Sequence, residues 1–267
     1  MDSSAEFTVA ILAGGLGTRL RPAVGDRPKV LAPVHHRPYL MYLLDRLADA
    51  AVREVVLLTG YRAEQVADAL GTTYRGMKLV YVAEPSPLGT GGAVRAALPR
   101  LADPMILLMN GDSFCEVDLA AFRDFHRRKD ADVSLVLAEV GDASRYGQVE
   151  LGRGGQVVRF GEKEPDGGGG WINAGIYLIR CSLIEAIPAG RPVSLERELF
   201  PEWLRGGVRV FGYRSSGRFI DIGTPESFAE AEAFFQPTRS PAGSHESGSK
   251  GWGYRKGPKA GAASKGF

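Results

Sequence analysis

A glycine-rich loop with two basic residues is the strongest chemical signal in the sequence. Gly14, Gly15 and Gly17 follow an apolar run, and Arg19 and Lys29 come after them. A strand that ends in such a loop presents backbone N–H groups to an anion, and glycine lets the chain approach a phosphate closely. The spacing fits neither the P-loop nor the dinucleotide fingerprint. We therefore predict a phosphate-binding loop of another kind, to which Arg19 and Lys29 add positive charge.

Strands and helices alternate in the part of the chain that must position this loop. Short apolar runs predict strands over Thr8–Ala13, Glu54–Thr59, Lys78–Ala83 and Met105–Met109. The connections are long enough for helical crossovers, so the sequence predicts an α/β fold with a Rossmann-like, mixed and mostly parallel sheet flanked by helices. Ligands of such a sheet bind at the carboxyl ends of its strands. After about residue 131 helices are fewer, and we expect a small additional β region there.

Composition limits the class of protein. The chain has 267 residues and two cysteines, and its N-terminus lacks the charge and apolar run of a signal peptide. These features favour a cytoplasmic protein with no membrane partner. The net charge of +2 conceals a basic stretch rich in Gly, Ser and Lys that follows Phe235. We therefore predict a folded domain over residues 1–235 and a disordered basic tail over 236–267, with no nucleic-acid partner.

Several separated motifs together resemble one family, the sugar-phosphate nucleotidyltransferases. Its signature G-G-x-G-T-R-L, followed by a Pro-Lys pair, matches residues 14–20 and 28–29. Further matches lie at residues 87–93 (PLGTGGA), 110–114 (NGDSF), 161–163 (GEK), 173–177 (NAGIY) and 219–225 (FIDIGTP). The resemblance covers roughly residues 7–235 and is nearest to the D-glycero-α-D-manno-heptose 1-phosphate guanylyltransferase subfamily. It implies the nucleotide-diphospho-sugar transferase fold.

The resemblance also implies which residues bind each substrate. The implied nucleotide-binding residues are Gly14, Gly15, Gly17, Thr18, Glu84, Gly89, Thr90 and Gly91. The implied sugar-phosphate-binding residues are Gly147, Glu162, Lys163, Asn173 and Gly175. Asp112 and Asp221 are the implied metal ligands, and each follows apolar residues. Because Mg²⁺ takes carboxylate and phosphate oxygens, we expect both aspartates to bind one Mg²⁺.

In the implied reaction a sugar 1-phosphate attacks the α-phosphorus of a nucleoside triphosphate, and pyrophosphate leaves. The nucleophile is already an anion, so catalysis requires positioning and charge neutralisation rather than a general base. We expect Arg19 to bind the leaving phosphates, Lys29 the transferred one and Lys163 the sugar phosphate. Arg19 and Lys29 are the predicted catalytic residues.

The nucleotide base is predicted from Glu84. A carboxylate accepts hydrogen bonds only, and guanine offers two adjacent donors where uracil or thymine offers one. We therefore expect GTP as the nucleotide and a sugar 1-phosphate, foremost the heptose phosphate, as its partner. Mannose 1-phosphate with GTP, or a hexose or N-acetylmuramate phosphate with UTP or dTTP, stays open. So do a catalytically silent nucleotide-sugar-binding subunit and assembly into a homo-oligomer.

Overall fold

The computed structural model describes residues 7–161 and 168–236. Its strands are β1 (Thr8–Ala13), β2 (Pro33–Val34), β3 (Arg37–Pro38), β4 (Glu54–Thr59), β5 (Thr73–Tyr74), β6 (Met77–Ala83), β7 (Met105–Asn110), β8 (Ser113–Cys115), β9 (Val133–Val140), β10 (Val149–Leu151), β11 (Val157–Phe160), β12 (Gly170–Arg180), β13 (Val210–Ser215) and β14 (Phe219–Asp221). Except for Gln236, the predicted tail lies outside the described residues.

Helices connect most of these strands. Within the described residues the α-helices are α1 (Arg21–Val24), α2 (Leu40–Asp49), α3 (Ala63–Leu70), α4 (Gly89–Ala97), α5 (Leu119–Arg128), α6 (Cys181–Glu185), α7 (Phe200–Arg205) and α8 (Pro225–Phe234). Short 3-10 turns occupy Lys29–Leu31, Leu98–Arg100 and Arg153–Gly155, and a π-helical turn over Leu195–Leu199 leads into α7. No helix in the described part of the chain is long and apolar enough to cross a membrane.

Eight strands form the central sheet, in the order β13-β9-β12-β7-β1-β4-β6-β5. β7, β1, β4 and β6 are mutually parallel, as are β9 and β13, whereas β12 is antiparallel to both its neighbours. The prediction of a mixed, mostly parallel sheet flanked by helices is confirmed. The carboxyl ends of β1, β4, β6 and β7 therefore meet at one edge.

Apolar residues on the two faces of the sheet form two separate cores. In β1 the side chain of Ala10 faces one core while those of Val9 and Ile11 face the other, as the alternation of a strand requires. The strands are buried on both faces, which explains their nearly continuous apolar runs. Helix α2 covers one face through Leu40, Leu43, Leu44 and Leu47, and α4 covers the other.

The small additional β region does not include every strand after residue 131. Strands β9 and β12 are buried on both sides and belong to the central sheet. A separate antiparallel pair remains in β10 and β11. A second such pair, β8 and β14, lies where the chain leaves β7, and it brings two distant segments together.

Candidate active site

The loops that follow the parallel strands surround one cavity of about 260 Å³ at the carboxyl edge of the sheet. Its walls come from the ends of β1, β4 and β7, the turn after β6 and the start of α4. The lining residues are Leu12, Gly14, Gly15, Leu16, Lys29, Val30, Leu58, Glu84, Pro87, Gly89, Thr90, Ala93, Asn110 and Asp112. The topology thus places several predicted site residues around a common space.

The glycine-rich loop forms one wall of this cavity. A Cβ on Gly14 would lie 2.9 Å from Oε1 of Glu84, whereas one on Gly15 would meet nothing within 4 Å. Gly17 has φ +58°, and a Cβ there would lie 3.0 Å from the Lys29 Cβ. Gly14 and Gly17 therefore allow close packing within the loop, and Gly15 leaves room for a ligand. Thr18 and Arg19 are exposed in the turn that follows and are not among the residues that line the cavity.

An ion pair between Lys29 and Asp112 forms part of the cavity wall. Lys29 Nζ donates to Asp112 Oδ2 at 2.6 Å, and the two side chains are 11% and 39% exposed. Gly111 fixes the loop that carries Asp112, since its N–H donates to the Leu12 carbonyl at 2.9 Å. A Cβ on Gly111 would lie 2.6 Å from that carbonyl oxygen. The half-exposed carboxylate therefore faces the cavity from a fixed backbone.

Asp221 reaches the same region although it lies far along the chain. Strand β14 pairs antiparallel with β8, which sets Asp221 opposite Ser113, and the Ile222 N–H donates to the Asp112 carbonyl at 3.0 Å. The structure thus joins the two predicted metal ligands through their backbones. Among the residues described, no group of three or more His, Cys, Asp or Glu side chains is placed to hold a metal ion.

Four donors surround the Asp221 carboxylate. Arg145 Nη2 donates to Oδ1 at 3.0 Å and the Tyr146 hydroxyl donates to Oδ2 at 3.2 Å. Ser227 Oγ and the Gly223 N–H donate to Oδ1 at 3.1 and 3.2 Å. Burial, with the Asp221 charge second, raises the pKa of Tyr146 well above its ordinary range, so the phenol stays a donor. Sequence reasoning missed these contacts, although Arg145 and Tyr146 directly precede Gly147.

Glu84 lies between the glycine loop and the start of α4. Its Oε2 accepts the Leu88 N–H at 3.0 Å, and a Cβ on Gly60 would lie 2.7 Å from its Oε1. Burial raises the pKa of Glu84, and the hydrogen bond from Leu88 partly opposes that shift. Glu84 also lines the cavity, and its carboxylate can only accept hydrogen bonds there.

The first turn of α4 contributes two of its three predicted residues to the cavity. Gly89 and Thr90 line the cavity, whereas Gly91 is buried. The Gly91 N–H donates to the Val193 carbonyl at 2.9 Å, and a Cβ on Gly89 would lie 2.6 Å from that oxygen. These glycines permit close packing against the segment before α7. They also allow α4 to begin at Gly89.

Two of the predicted sugar-phosphate residues, Asn173 and Gly175, lie within strand β12. Gly175 has φ +75°, and a Cβ there would lie 2.7 Å from Nδ2 of Asn110, which lines the cavity. The Asn173 side chain accepts from the Gly175 N–H at 3.0 Å, and a Cβ on Gly147 would lie 3.0 Å from the Gly161 carbonyl. Close packing against a side chain at Gly175 and against backbone at Gly147 therefore explains why glycine occupies both positions. Glu162 and Lys163 lie outside the described residues.

Asn110 and Glu196 are two site residues to which the sequence analysis assigns no role. Asn110 ends β7 at the cavity, and its buried Oδ1 has no hydrogen-bond partner among the described residues. Glu196 accepts hydrogen bonds from Thr90 at 2.8 Å and from Tyr177 at 3.2 Å. The hydroxyls of Thr90 and Tyr177 that bind Glu196, and the Gly175 that packs against Asn110, are distant in the chain, so no local pattern marks either residue.

Comparison with known proteins identifies relatives along nearly the whole described chain. Residues 8–237 match the nucleotidyl transferase family model. The chain is 40% identical to the mannose-1-phosphate guanylyltransferase of Mycobacterium tuberculosis over 230 residues, which are 85% of this chain and 64% of that protein. It therefore spans slightly less than two thirds of the length of that relative.

Two further similarities are to one heptose 1-phosphate guanylyltransferase and to one solved structure. The chain is 34% identical to the D-glycero-alpha-D-manno-heptose 1-phosphate guanylyltransferase of Aneurinibacillus thermoaerophilus, over 85% of this chain and 97% of the relative. The crystal structure of HddC from Yersinia pseudotuberculosis complexed with GMP-PN matches with a TM-score of 0.77 and 32% identity. That match covers 86% of this chain and all of the other.

Proposed function

The chain belongs to the nucleotidyl transferase family, and from that premise we propose that it is a sugar-1-phosphate guanylyltransferase. It transfers GMP from GTP to a sugar 1-phosphate and releases pyrophosphate. The observation that carries this proposal is the carboxyl-edge cavity, where Glu84, Lys29 and Asp112 line one space beside Asp221. The guanylyltransferase names of both curated relatives support the same activity.

Glu84 supports guanine as the base. Its carboxylate accepts hydrogen bonds only, and guanine presents N1–H and the 2-amino group side by side. Gly14 and Gly60 pack against its Oε1 and hold the side chain in the cavity wall. A bidentate match of this type contributes roughly 1–3 kcal/mol of discrimination, by comparison with base recognition in DNA.

Lys29 and Arg19 supply the positive charge that the proposed transfer needs. The sugar phosphate attacks as an anion, so the protein has to hold two anions in line and neutralise the developing charge. Lys29 lines the cavity from a mostly buried side chain and is assigned to the transferred phosphate. Arg19 is exposed in the glycine loop and is assigned to the leaving phosphates.

The donor set also fits Mg²⁺, which we propose as the cofactor. Asp112 and Asp221 offer oxygen ligands only, their segments are hydrogen-bonded to each other, and Asp112 is 39% exposed toward the cavity. Mg²⁺ typically takes one or two carboxylates together with substrate phosphate oxygens. When bound, the ion neutralises phosphate charge. In this structure Lys29 neutralises Asp112 and Arg145 neutralises Asp221. A bound ion would share these two carboxylates with the two basic side chains.

For the sugar we propose D-glycero-α-D-manno-heptose 1-phosphate. The support is the similarity to the curated heptose 1-phosphate guanylyltransferase, which the match covers over 97% of its length. Mannose 1-phosphate is the second candidate, favoured by the 40% identity to the Mycobacterium tuberculosis enzyme. The heptose has one hydroxylated carbon more than mannose. Because the two sugar phosphates differ only there, both can be tested as substrates of the same site.

The test is pyrophosphate release with Mg²⁺, crossing GTP, UTP, dTTP, ATP and CTP with heptose, mannose, glucose and N-acetylmuramate 1-phosphates. The proposal expects the highest kcat/KM for GTP with the heptose phosphate and loss of turnover in Asp112→Ala. A higher kcat/KM with mannose phosphate would replace the sugar and keep the activity. Tight binding of GDP-sugar without turnover of any pair would indicate a silent binding subunit and contradict the proposal.

A further inference from the structure

Glu196 connects two walls of the site through its carboxylate. It lies in the π-helical turn Leu195–Leu199, outside the cavity-lining set. Its Oε2 accepts from Thr90 Oγ1 at 2.8 Å and its Oε1 accepts from the Tyr177 hydroxyl at 3.2 Å. Ser194 Oγ donates to Oε2 as well, at 3.1 Å. The same side chain therefore contacts the first turn of α4 and strand β12.

The direction of each hydrogen bond is determined by the other partners of the hydroxyls. Thr90 Oγ1 already accepts from the Leu195 N–H at 2.8 Å, and Ser194 Oγ accepts from the Arg197 N–H at 3.2 Å. The Tyr177 hydroxyl accepts from Asn173 Nδ2 at 2.9 Å. All three hydroxyls thus donate to Glu196. A carboxylate, which only accepts, satisfies all of them, whereas an amide would direct a donor against at least one.

Both ends of this network reach the cavity. Thr90 lines it directly. At the other end, Asn173 binds Tyr177 through one amide atom and the Gly175 N–H through the other, at 2.9 and 3.0 Å. Gly175 in turn packs against the side chain of Asn110, which also lines the cavity. Tyr177 is fully buried, so its position depends on these contacts.

The local backbone is unusual at this position. The turn over Leu195–Leu199 is π-helical, and the Leu199 N–H donates to the Ser194 carbonyl at 3.1 Å. Such single π turns occur frequently at functional sites, because they insert one residue and redirect a side chain. Here the turn places Glu196 toward β12 while Glu198 remains exposed.

We propose that Glu196 is a positioning residue that aligns the nucleotide side of the site, at Thr90, with the sugar side, at Asn110 and Asn173. The inference rests on the proposed function and on the roles that the family resemblance implies, nucleotide binding for Thr90 and sugar-phosphate binding for Asn173 and Gly175. Asn110 is placed on the sugar side because it packs against Gly175. Glu196 acts without touching the reacting atoms. Loss of the Glu196 carboxylate displaces both walls together. Loss of the Thr90 hydroxyl or of the Tyr177 hydroxyl displaces only the wall to which that residue belongs.

The experiment compares Glu196→Gln, Thr90→Val and Tyr177→Phe in steady-state kinetics with both substrates varied. Thr90→Val is expected to raise KM for GTP and Tyr177→Phe to raise KM for the sugar phosphate. Glu196→Gln is expected to raise both and to lower kcat/KM roughly tenfold, the effect of one misdirected buried hydrogen bond. In a Glu196→Gln background, adding Thr90→Val should have less effect than it has in the wild type. Glu202→Gln, an exposed substitution on α7, is the matched control.

The readouts separate positioning from a loss of folded protein. If Glu196 only stabilised the fold, Glu196→Gln would lower Tm and kcat and leave both KM values unchanged, and the proposal would be wrong. Wild-type kinetics in Glu196→Gln, or effects that multiply independently in the double variant, would overturn it while the proposed function stood. Absence of turnover in the wild-type chain with every substrate pair would overturn the proposed function and this inference together.

Discussion

The Lys29 ammonium lies 2.6 Å from the carboxylate of Asp112, and the two residues follow β1 and β7, which are neighbours in the sheet. The pair is stable without substrate because each charge compensates the other in a partly buried place. A bound triphosphate offers Lys29 a second anionic partner. The ion pair therefore keeps a cation and an acceptor positioned at the cavity before substrate arrives, which reduces the reorganisation needed for transfer.

Lys29→Ala is the first variant that follows from this pair. It removes a positioned positive charge and leaves Asp112 unpaired. We expect kcat to fall by roughly 10²–10³, as for the loss of one preorganised donor. Lys78→Ala breaks an ion pair of similar length, 2.7 Å to Glu54, at the opposite edge of the sheet, and should leave kcat unchanged. Equal kcat in both variants would remove Lys29 from the transfer step.

Glu84→Gln tests the recognition of guanine. The amide presents a donor where guanine also presents donors, so preference for GTP over UTP should fall by roughly tenfold or more. The measurement is the ratio of kcat/KM for the two nucleotides, with Glu54→Gln as the exposed control. Because burial raises the pKa of Glu84, this carboxylate takes up a proton at a higher pH than an ordinary carboxyl group does. As the pH is lowered, KM for GTP should therefore begin to rise at that higher pH. An unchanged nucleotide ratio would contradict the assignment.

Asp221→Asn tests the proposed metal ligand by a measurement that does not require turnover. Ligand binding to the folded state raises Tm, so GTP with Mg²⁺ should stabilise the wild type more than GTP with EDTA. Asp221→Asn should lose most of that Mg²⁺-dependent difference, because it removes one of the two carboxylates. Asp68→Asn, on the exposed face of α3, is the control. A full Mg²⁺ effect in Asp221→Asn would mean that Asp221 serves only its partners Arg145 and Tyr146.

The strands and the loops at their ends were predictable because their signals are local. The apolar run Thr8–Ala13 and the glycines after it fix β1 and its loop within a few residues of sequence. The start of α4 at Gly89 was not predictable, since glycine disfavours helices and only packing against Val193 compensates. The bonds of Glu196 and of Arg145 were hidden for a similar reason. Their partners are distant in sequence, and no periodicity encodes such contacts.

His36→Gly is expected to stabilise the fold. His35 and His36 form the two-residue turn between β2 and β3, both with positive φ, +47° and +62°. Hairpin turns of this type favour Asn and Gly, because an L side chain is strained there. Relief of that strain, less the greater chain entropy of glycine, should raise the free energy of unfolding by about 0.5–1 kcal/mol in urea titrations.

His35→Gly provides the matched comparison for this turn. The ring Nε2 of His35 is 2.7 Å from the Glu232 carbonyl oxygen in α8, so this substitution relieves strain and also removes a hydrogen bond. Its gain in stability should therefore be smaller than that of His36→Gly. Destabilisation by His36→Gly would show that the turn is not strained at that position.

His126 should make the fold less stable in mild acid. Its ring is 7% exposed between α5 and β9, and Nδ1 lies 2.9 Å from Ser134 Oγ. Burial lowers the pKa of His126 from 6.5 to about 4, so below pH 6.5 the unfolded chain binds a proton that the native chain does not. Between pH 6.5 and about pH 4, the free energy of unfolding should fall by roughly 2–3 kcal/mol. Below that range His126 should contribute little further change.

His126→Gln separates this effect from the titration of carboxyl groups. The neutral amide can still bond to Ser134, but it takes up no proton in either state. The difference in unfolding free energy between wild type and variant, measured in urea at several pH values, should therefore favour the wild type most above pH 6.5. It should shrink steadily toward pH 4, because only the wild type loses stability through this residue. A difference that stays constant across that range would mean that His126 titrates alike in the folded and unfolded chains.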